Sequence, residues 1–122
     1  MSDTVSEGFF EALTHLARTS DIVVDRPRGT PHPSIPRATY PVDYGYLAGT
    51  TSADGEGIDV FVGTDRRAGV SAVLLTADTV KRDAEIKVLW NCTPEEAVLV
   101  HRFVKDVLAI GGLLVEKPRR TG

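Results

Sequence analysis

Residues 40–60 read YPVDYGYLAGTTSADGEGIDV, and the way this stretch divides sets the layout of the rest of the chain. Tyr40 to Leu47 is an aromatic and β-branched run and Ile58 to Val62 is another, so both read as strands. Gly, Thr, Ser and Asp fill the interval between them, which makes it a turn. The stretch is also dense in polar chemistry, with Asp43, Asp54, Glu56 and Asp59 set among tyrosines. Gly55 and Gly57 alternate with Asp54 and Glu56, so the backbone can turn tightly while both carboxylates project to one side, Asp59 following at the mouth of the next strand. Two carboxylates ~4 Å apart repel by about 4 kcal/mol at an effective dielectric of 20. A cation relieves that repulsion, and hard oxygen donors suit Mg²⁺, Mn²⁺ or Ca²⁺. The same residues read equally as a plain hairpin turn with solvated acids, since Asp-Gly favours hairpin loops. An EF-hand is excluded: counted from Asp54, the position that requires glycine holds Asp59.

Outward from this stretch, residues 21–26 (DIVVDR) read as a short strand. Pro27, Gly29, Pro31, Pro33 and Pro36 then impose an extended loop. Val70 to Leu75, Ile86 to Trp90 and Leu113 to Glu116 are further strands. Ser6 to Arg18 spaces Phe9, Phe10, Leu13, Leu16 and Ala17 by threes and fours, the pattern of an amphipathic helix with Ser6 as N-cap. Thr93-Pro94-Glu95-Glu96 combines a Thr cap, Pro at the first helical position and Glu three residues after the cap. The helix it opens is expected to run to about Ile110, to bury Leu99, Phe103, Val107 and Ile110, and to end in left-handed glycine at Gly111-Gly112. Short strands with turn-rich connections and a helix toward each end favour a small barrel or a strongly twisted antiparallel sheet.

Composition narrows the class. The 122 residues are 42% hydrophobic and 25% charged, ordinary for one soluble globular domain spanning 1–122, with residues 1–20 as the helical entry and 117–122 as a flexible tail. Residues 1–60 carry 4 Lys/Arg against 9 Asp/Glu, and residues 61–122 carry 10 against 8. No basic face marks a nucleic-acid partner; the one basic cluster, Lys117, Arg119 and Arg120, reads as a solvated end. A lone cysteine, an acidic start and apolar runs of only about ten residues give the expectation of a cytoplasmic chain with no membrane span. His15 and His101 read as surface residues, and Trp90 as a core or interface residue. Cys92 precedes a helix cap, where a thiol can have a lowered pKa, but it has no paired base.

The order and spacing of YPVDYGYLAGT followed by DGEGIDV resemble the soluble inorganic pyrophosphatases, whose hallmark is a Tyr-Pro-x-x-Tyr-Gly-Tyr strand followed by an Asp-x-Asp-x-x-Asp loop. The likeness extends more weakly from Asp21 to about Gly112. It implies an α+β fold, a small five-stranded OB-like β-barrel with two flanking α-helices, and Mg²⁺-dependent hydrolysis of pyrophosphate to two phosphates, Mn²⁺ being a possible substitute. By the same resemblance Asp54 and Asp59 would be metal ligands, Tyr44 would bond a phosphate or the nucleophile, and Glu56 would hold the general-base position. Asp78 and Asp83, five residues apart in LLTADTVKRDAEIKV, match two further acidic ligands. Asp25 resembles an outer metal ligand, and Lys105 in FVKD a phosphate-binding lysine. These acids would converge on a shared pocket, and homo-oligomers would be expected.

The chain also departs from that pattern. It is too short between Asp25 and Tyr40 for the family's Lys-x-Glu pair and its arginine hairpin. His32 falls where the arginine belongs, and of the nearby Arg26, Arg28 and Arg37 the last is the candidate for substrate binding. Glu85 stands where a lysine is expected and Thr79 where an acid is, Glu56 is one methylene longer than aspartate, and Gly57 replaces proline. Besides pyrophosphate hydrolysis, two readings follow: a protein that binds metal and phosphate with weakened catalysis, and a hydrolase of another phosphoanhydride.

Overall fold

The computed structural model describes residues 4–118. Along the chain come α1 (Thr4–Arg18), β1 (Ile22–Arg26), β2 (Asp43–Leu47), β3 (Ile58–Val62), β4 (Val70–Asp78), β5 (Asp83–Trp90), α2 (Pro94–Arg102) and β6 (Gly111–Glu116). The strands form one sheet in the order β1-β2-β3-β5-β4-β6. Neighbours are antiparallel except β3 and β5, which run parallel with Val60 opposite Val88. The architecture is therefore α+β with an open, mixed, six-stranded sheet, not the expected five-stranded closed barrel. GGLLVE supplies the additional strand on the outer side of β4, so β1 and β6 remain at opposite edges instead of meeting.

Strand alternation gives the sheet two buried faces. On one, Phe10, Leu13 and Ala17 of α1 pack on Leu47, Val60, Val70, Val73 and Val88, with Ile58 and Trp90 at the margin. On the other, Ala97 and Val100 of α2 and the following Phe103 and Val104 pack on Phe61, Leu74 and Leu89 together with Tyr40 and Val42. Asp59 lies between Ile58 and Val60, so it shares the second face with Phe61, and the candidate site lies on that face.

The α2 start is as its sequence states: the Thr93 hydroxyl accepts from the Glu96 N–H at 3.1 Å, and Glu96 accepts the Thr93 N–H at 2.9 Å. Its end differs. After Arg102 the chain widens into a π-helical turn, Phe103–Val107, in which the Leu108 N–H reaches the Phe103 carbonyl. The left-handed residue is Ala109 (φ 57°), while Gly111 and Gly112 open β6. Leu99 and Val107 are consequently exposed, and the buried stripe is Ala97, Val100, Phe103 and Val104. In α1 the buried stripe narrows to Phe10, Leu13 and Ala17, with Phe9 and Leu16 exposed, because spacings of three and four from Phe10 exhaust the face that meets the sheet. Ser6 lies inside α1 and is not its cap. Tyr40 precedes β2, since Pro41 has no N–H for a ladder; it pairs instead with Thr30 and Gly29 across the proline-rich loop. Of the tail, Lys117 is tied by its N–H to Ser71; residues 119–122 lie outside the described residues, as do 1–3.

Candidate functional site

The parallel register of β3 and β5 brings Asp59 alongside Lys87, and the two-residue period of β5 puts Glu85 on the same side. The Lys87 ammonium donates to Asp59 Oδ2 at 2.8 Å, to Glu85 Oε2 at 3.1 Å and to the Tyr44 hydroxyl oxygen at 3.1 Å. It also lies 5.4 Å from the centre of the Tyr44 ring. Tyr44 is held from behind by an aromatic series: His32 stacks on Tyr40 (6.1 Å between centres), Tyr40 on Tyr44 (5.4 Å), and Tyr44 tilts against Phe61 (4.7 Å). Burial pushes the Tyr44 phenol well above its ordinary pKa against the opposing charge of Lys87, and Asp59 adds to the rise. The phenol stays protonated. Burial opposes the charge on Lys87, yet Tyr44 and Asp59 together hold the ammonium above the usual lysine range. Glu85 is raised, first by burial and then by Asp59, with Lys87 opposing.

Beside this cluster Asp25, Tyr44, Gly45, Tyr46, Glu56, Gly57 and Asp59 line one hollow of about 290 Å³. Asp25 reaches it from a bulge in β1, between Val24 and Arg26, and Glu56 from the loop before β3. The remaining acids named from the sequence do not line this hollow, although Asp54 stands within reach of Glu85. Asp54 closes its own turn, accepting from the Ser52 hydroxyl and the Glu56 N–H, with Gly55 at φ 86° between them. Those bonds, the Ser52 hydroxyl foremost, hold its carboxyl below the usual range. Asp78 and Asp83 face each other at the base of the β4–β5 hairpin and line a different hollow, where Asp78 accepts the Val80 and Lys81 N–H groups. Lys105 is exposed on the π-helical turn and Arg37 is exposed in the proline-rich loop. Neither lines the Asp25–Glu56–Asp59 hollow. Among the described residues, no three acidic, histidine or cysteine side chains stand close enough to enclose a metal ion.

Of two cations of this region, Lys87 was not singled out from the sequence, and Arg26 was named only as one of three nearby arginines. Lys87 was visible in the Glu85-x-Lys87 alternation, which places both charges on one face of a strand. Arg26 pairs in register with Tyr44, and its charge, after burial, helps to lower the pKa of His32. Cys92 is buried, and burial first, then Glu96, pushes its thiol up to about 12, the reverse of an activated helix-start cysteine. His101 is half-buried and bonds the Gly112 carbonyl at 3.0 Å, so it is not a free surface residue. No helix among the described residues is long and apolar enough to cross a membrane.

No protein-family profile matches the sequence, and no curated protein does. Solved structures do match in fold. An inorganic pyrophosphatase from Helicobacter pylori superposes with a TM-score of 0.59 at 14% identity, over 79% of this chain and 83% of that one. One from Coxiella burnetii gives 0.54 at 13% identity, over 78% and 82%. At such identities the likeness is one of fold.

Proposed function

We propose that this chain hydrolyses a phosphoanhydride, pyrophosphate first, with the help of a divalent ion, Mg²⁺ by preference. The observation that carries the reading is the hollow lined by Asp25, Glu56, Asp59 and the protonated Tyr44. The pyrophosphatase-like fold supports it. A hollow lined by three carboxylates repels a polyanion, so substrate enters only with cations. The donor set fits a hard ion, being carboxylate and phenol oxygen without sulfur or nitrogen. Asp25, which forms no ion pair among the described residues, would hold it. Bound there, it supplies charge neutralisation and polarisation of the phosphoryl oxygens.

The chain's own groups divide the remaining work. Glu56, exposed at the rim, takes the proton of the attacking water. Tyr44, kept neutral, offers its O–H to a phosphate oxygen and is fixed in place by Tyr40 and Phe61. Asp54, Asp78, Asp83, Lys105 and Arg37 lie off this hollow and are assigned no contact with substrate.

The test is release of phosphate from pyrophosphate by the purified chain with Mg²⁺. Turnover abolished by EDTA and lowered roughly a hundredfold or more by Glu56→Gln is expected. An unmodified protein without metal-dependent release refutes the proposal. Tight pyrophosphate binding without release selects the second reading, a binding protein, which the pairing of Asp59 with Lys87 favours.

A further inference from the structure

We propose that Lys87 is a resident cation of this site: its ammonium occupies the oxygen cluster of Asp59 and Glu85, so Asp59 binds no metal ion in the free chain. The inference rests on the hydrolase reading above, since it concerns which carboxylates of that site remain open to an ion.

An ammonium has three donors and no acceptor. All three Lys87 donors are in use, on Asp59, Glu85 and the Tyr44 hydroxyl, at 2.8, 3.1 and 3.1 Å. The Lys87 side chain is 13% exposed, and Asp59 and Glu85 are 29% and 20% exposed. Oxygens from three strands thus surround one cation supplied by the protein itself. Two carboxylates against one ammonium leave a single net negative charge, so half of the cluster's negative charge is neutralised before any ion arrives. A divalent ion on Asp59 would stand beside that ammonium, with like charges in a poorly solvated place where screening is weak. The backbone that carries the lysine is fixed between β3 and β4: Val88 and Leu89, which follow it, are fully buried, and Leu74 opposite it is too. Asp25 and Glu56, which line the same hollow, are not paired with Lys87.

The experiment is Mn²⁺ titration followed by electron paramagnetic resonance, without substrate, on the unmodified protein, Asp59→Asn and Lys87→Met. Asparagine can still accept from Lys87, so Asp59→Asn preserves the cluster's shape. Either no Mn²⁺ bound by the unmodified chain, or binding changed less than twofold by Asp59→Asn, supports the inference. A tenfold or greater loss on Asp59→Asn overturns it. Lys87→Met is expected to gain one Mn²⁺, bound at least tenfold tighter than any in the unmodified protein and lost again in the double variant with Asp59→Asn. A folded Lys87→Met, checked by circular dichroism, that gains no ion also overturns it; if it does not fold, Asp59→Asn alone decides. Pyrophosphate turnover is read separately: failure there with these affinities as expected refutes only the hydrolase reading.

Discussion

Gly45→Ala tests how the fold delivers the site. Gly45 lies opposite Val24 in the β1–β2 ladder, one position before the bulge that carries Asp25. A Cβ there would overlap the Val23 carbonyl oxygen and stand 2.7 Å from the Val23 carbonyl carbon and 2.9 Å from Val24 Cα. Ordinary carbon–carbon contacts are ~3.5–4.0 Å, so β1 must move out by about 1 Å or more. The obstruction is backbone and cannot be relieved by a rotamer change. β1 is an edge strand held on one side only, and Val23 and Val24 are exposed, so the strand shifts instead of the core. Overpacking typically costs about 1–3 kcal/mol, and each ladder bond weakened adds ~1 kcal/mol, which gives about 3 kcal/mol in all. The melting temperature should fall by about 10 °C. A ~1 Å displacement of Asp25 from Glu56 should also lower Mg²⁺-dependent phosphate release by on the order of a hundredfold. Urea unfolding and a phosphate-release assay on the same preparation read both. A variant within 0.5 kcal/mol of the parent and fully active would refute the close approach of β1 and its role in placing Asp25.

Glu96→Ala removes the acceptor shared by the Thr93 and Thr64 N–H groups and the Thr64 hydroxyl, and should cost about 2 kcal/mol in urea unfolding. Burial is the largest single effect and raises the Glu96 pKa, but the donors together outweigh it and hold the carboxyl below the ordinary value. Its contribution is therefore present above the unfolded-state pKa and lost as pH falls through the folded one; the gap between parent and Glu96→Ala should narrow in acid, and a gap constant from pH 7 to pH 3 would contradict the assignment. Cys92, buried with its thiol pushed up to about 12, should resist Ellman's reagent at pH 8 until urea unfolds the chain, whereas prompt labelling of folded protein would place it at the surface. Tyr44→Phe strips one of the three acceptors from a buried ammonium and should destabilise by about 1–3 kcal/mol, measured by the same unfolding assay.

Where local chemistry decides, the sequence is readable. The capping box at Thr93 and Glu96 is self-contained within four residues, and it forms as its letters require. The runs at β2 to β5 announce themselves by β-branched and aromatic content. What is not legible depends on partners distant along the chain. Closure into a barrel depends on whether β1 and β6 meet, which no local pattern encodes, and the helix ends in a π-helical turn, the Leu108 N–H reaching Phe103, followed by an Ile110 N–H bond to the Val104 carbonyl. The site shows the same division. The DGEG loop is visible as a tight acidic turn, yet Asp54 spends its oxygens on Ser52 and Glu56, and Asp78 on its own hairpin. Lys87 becomes part of the site only through the parallel register of β3 and β5, which brings together residues 28 apart.

The most direct measurement is the anomalous scattering of Mn²⁺ in crystals grown with imidodiphosphate, a pyrophosphate analogue that resists hydrolysis. A peak beside the analogue and the Asp25 carboxylate, within the hollow that Glu56 also lines, with Tyr44 against a phosphate oxygen, is expected. An ion seated between Asp78 and Asp83, or analogue bound outside this hollow, would contradict it.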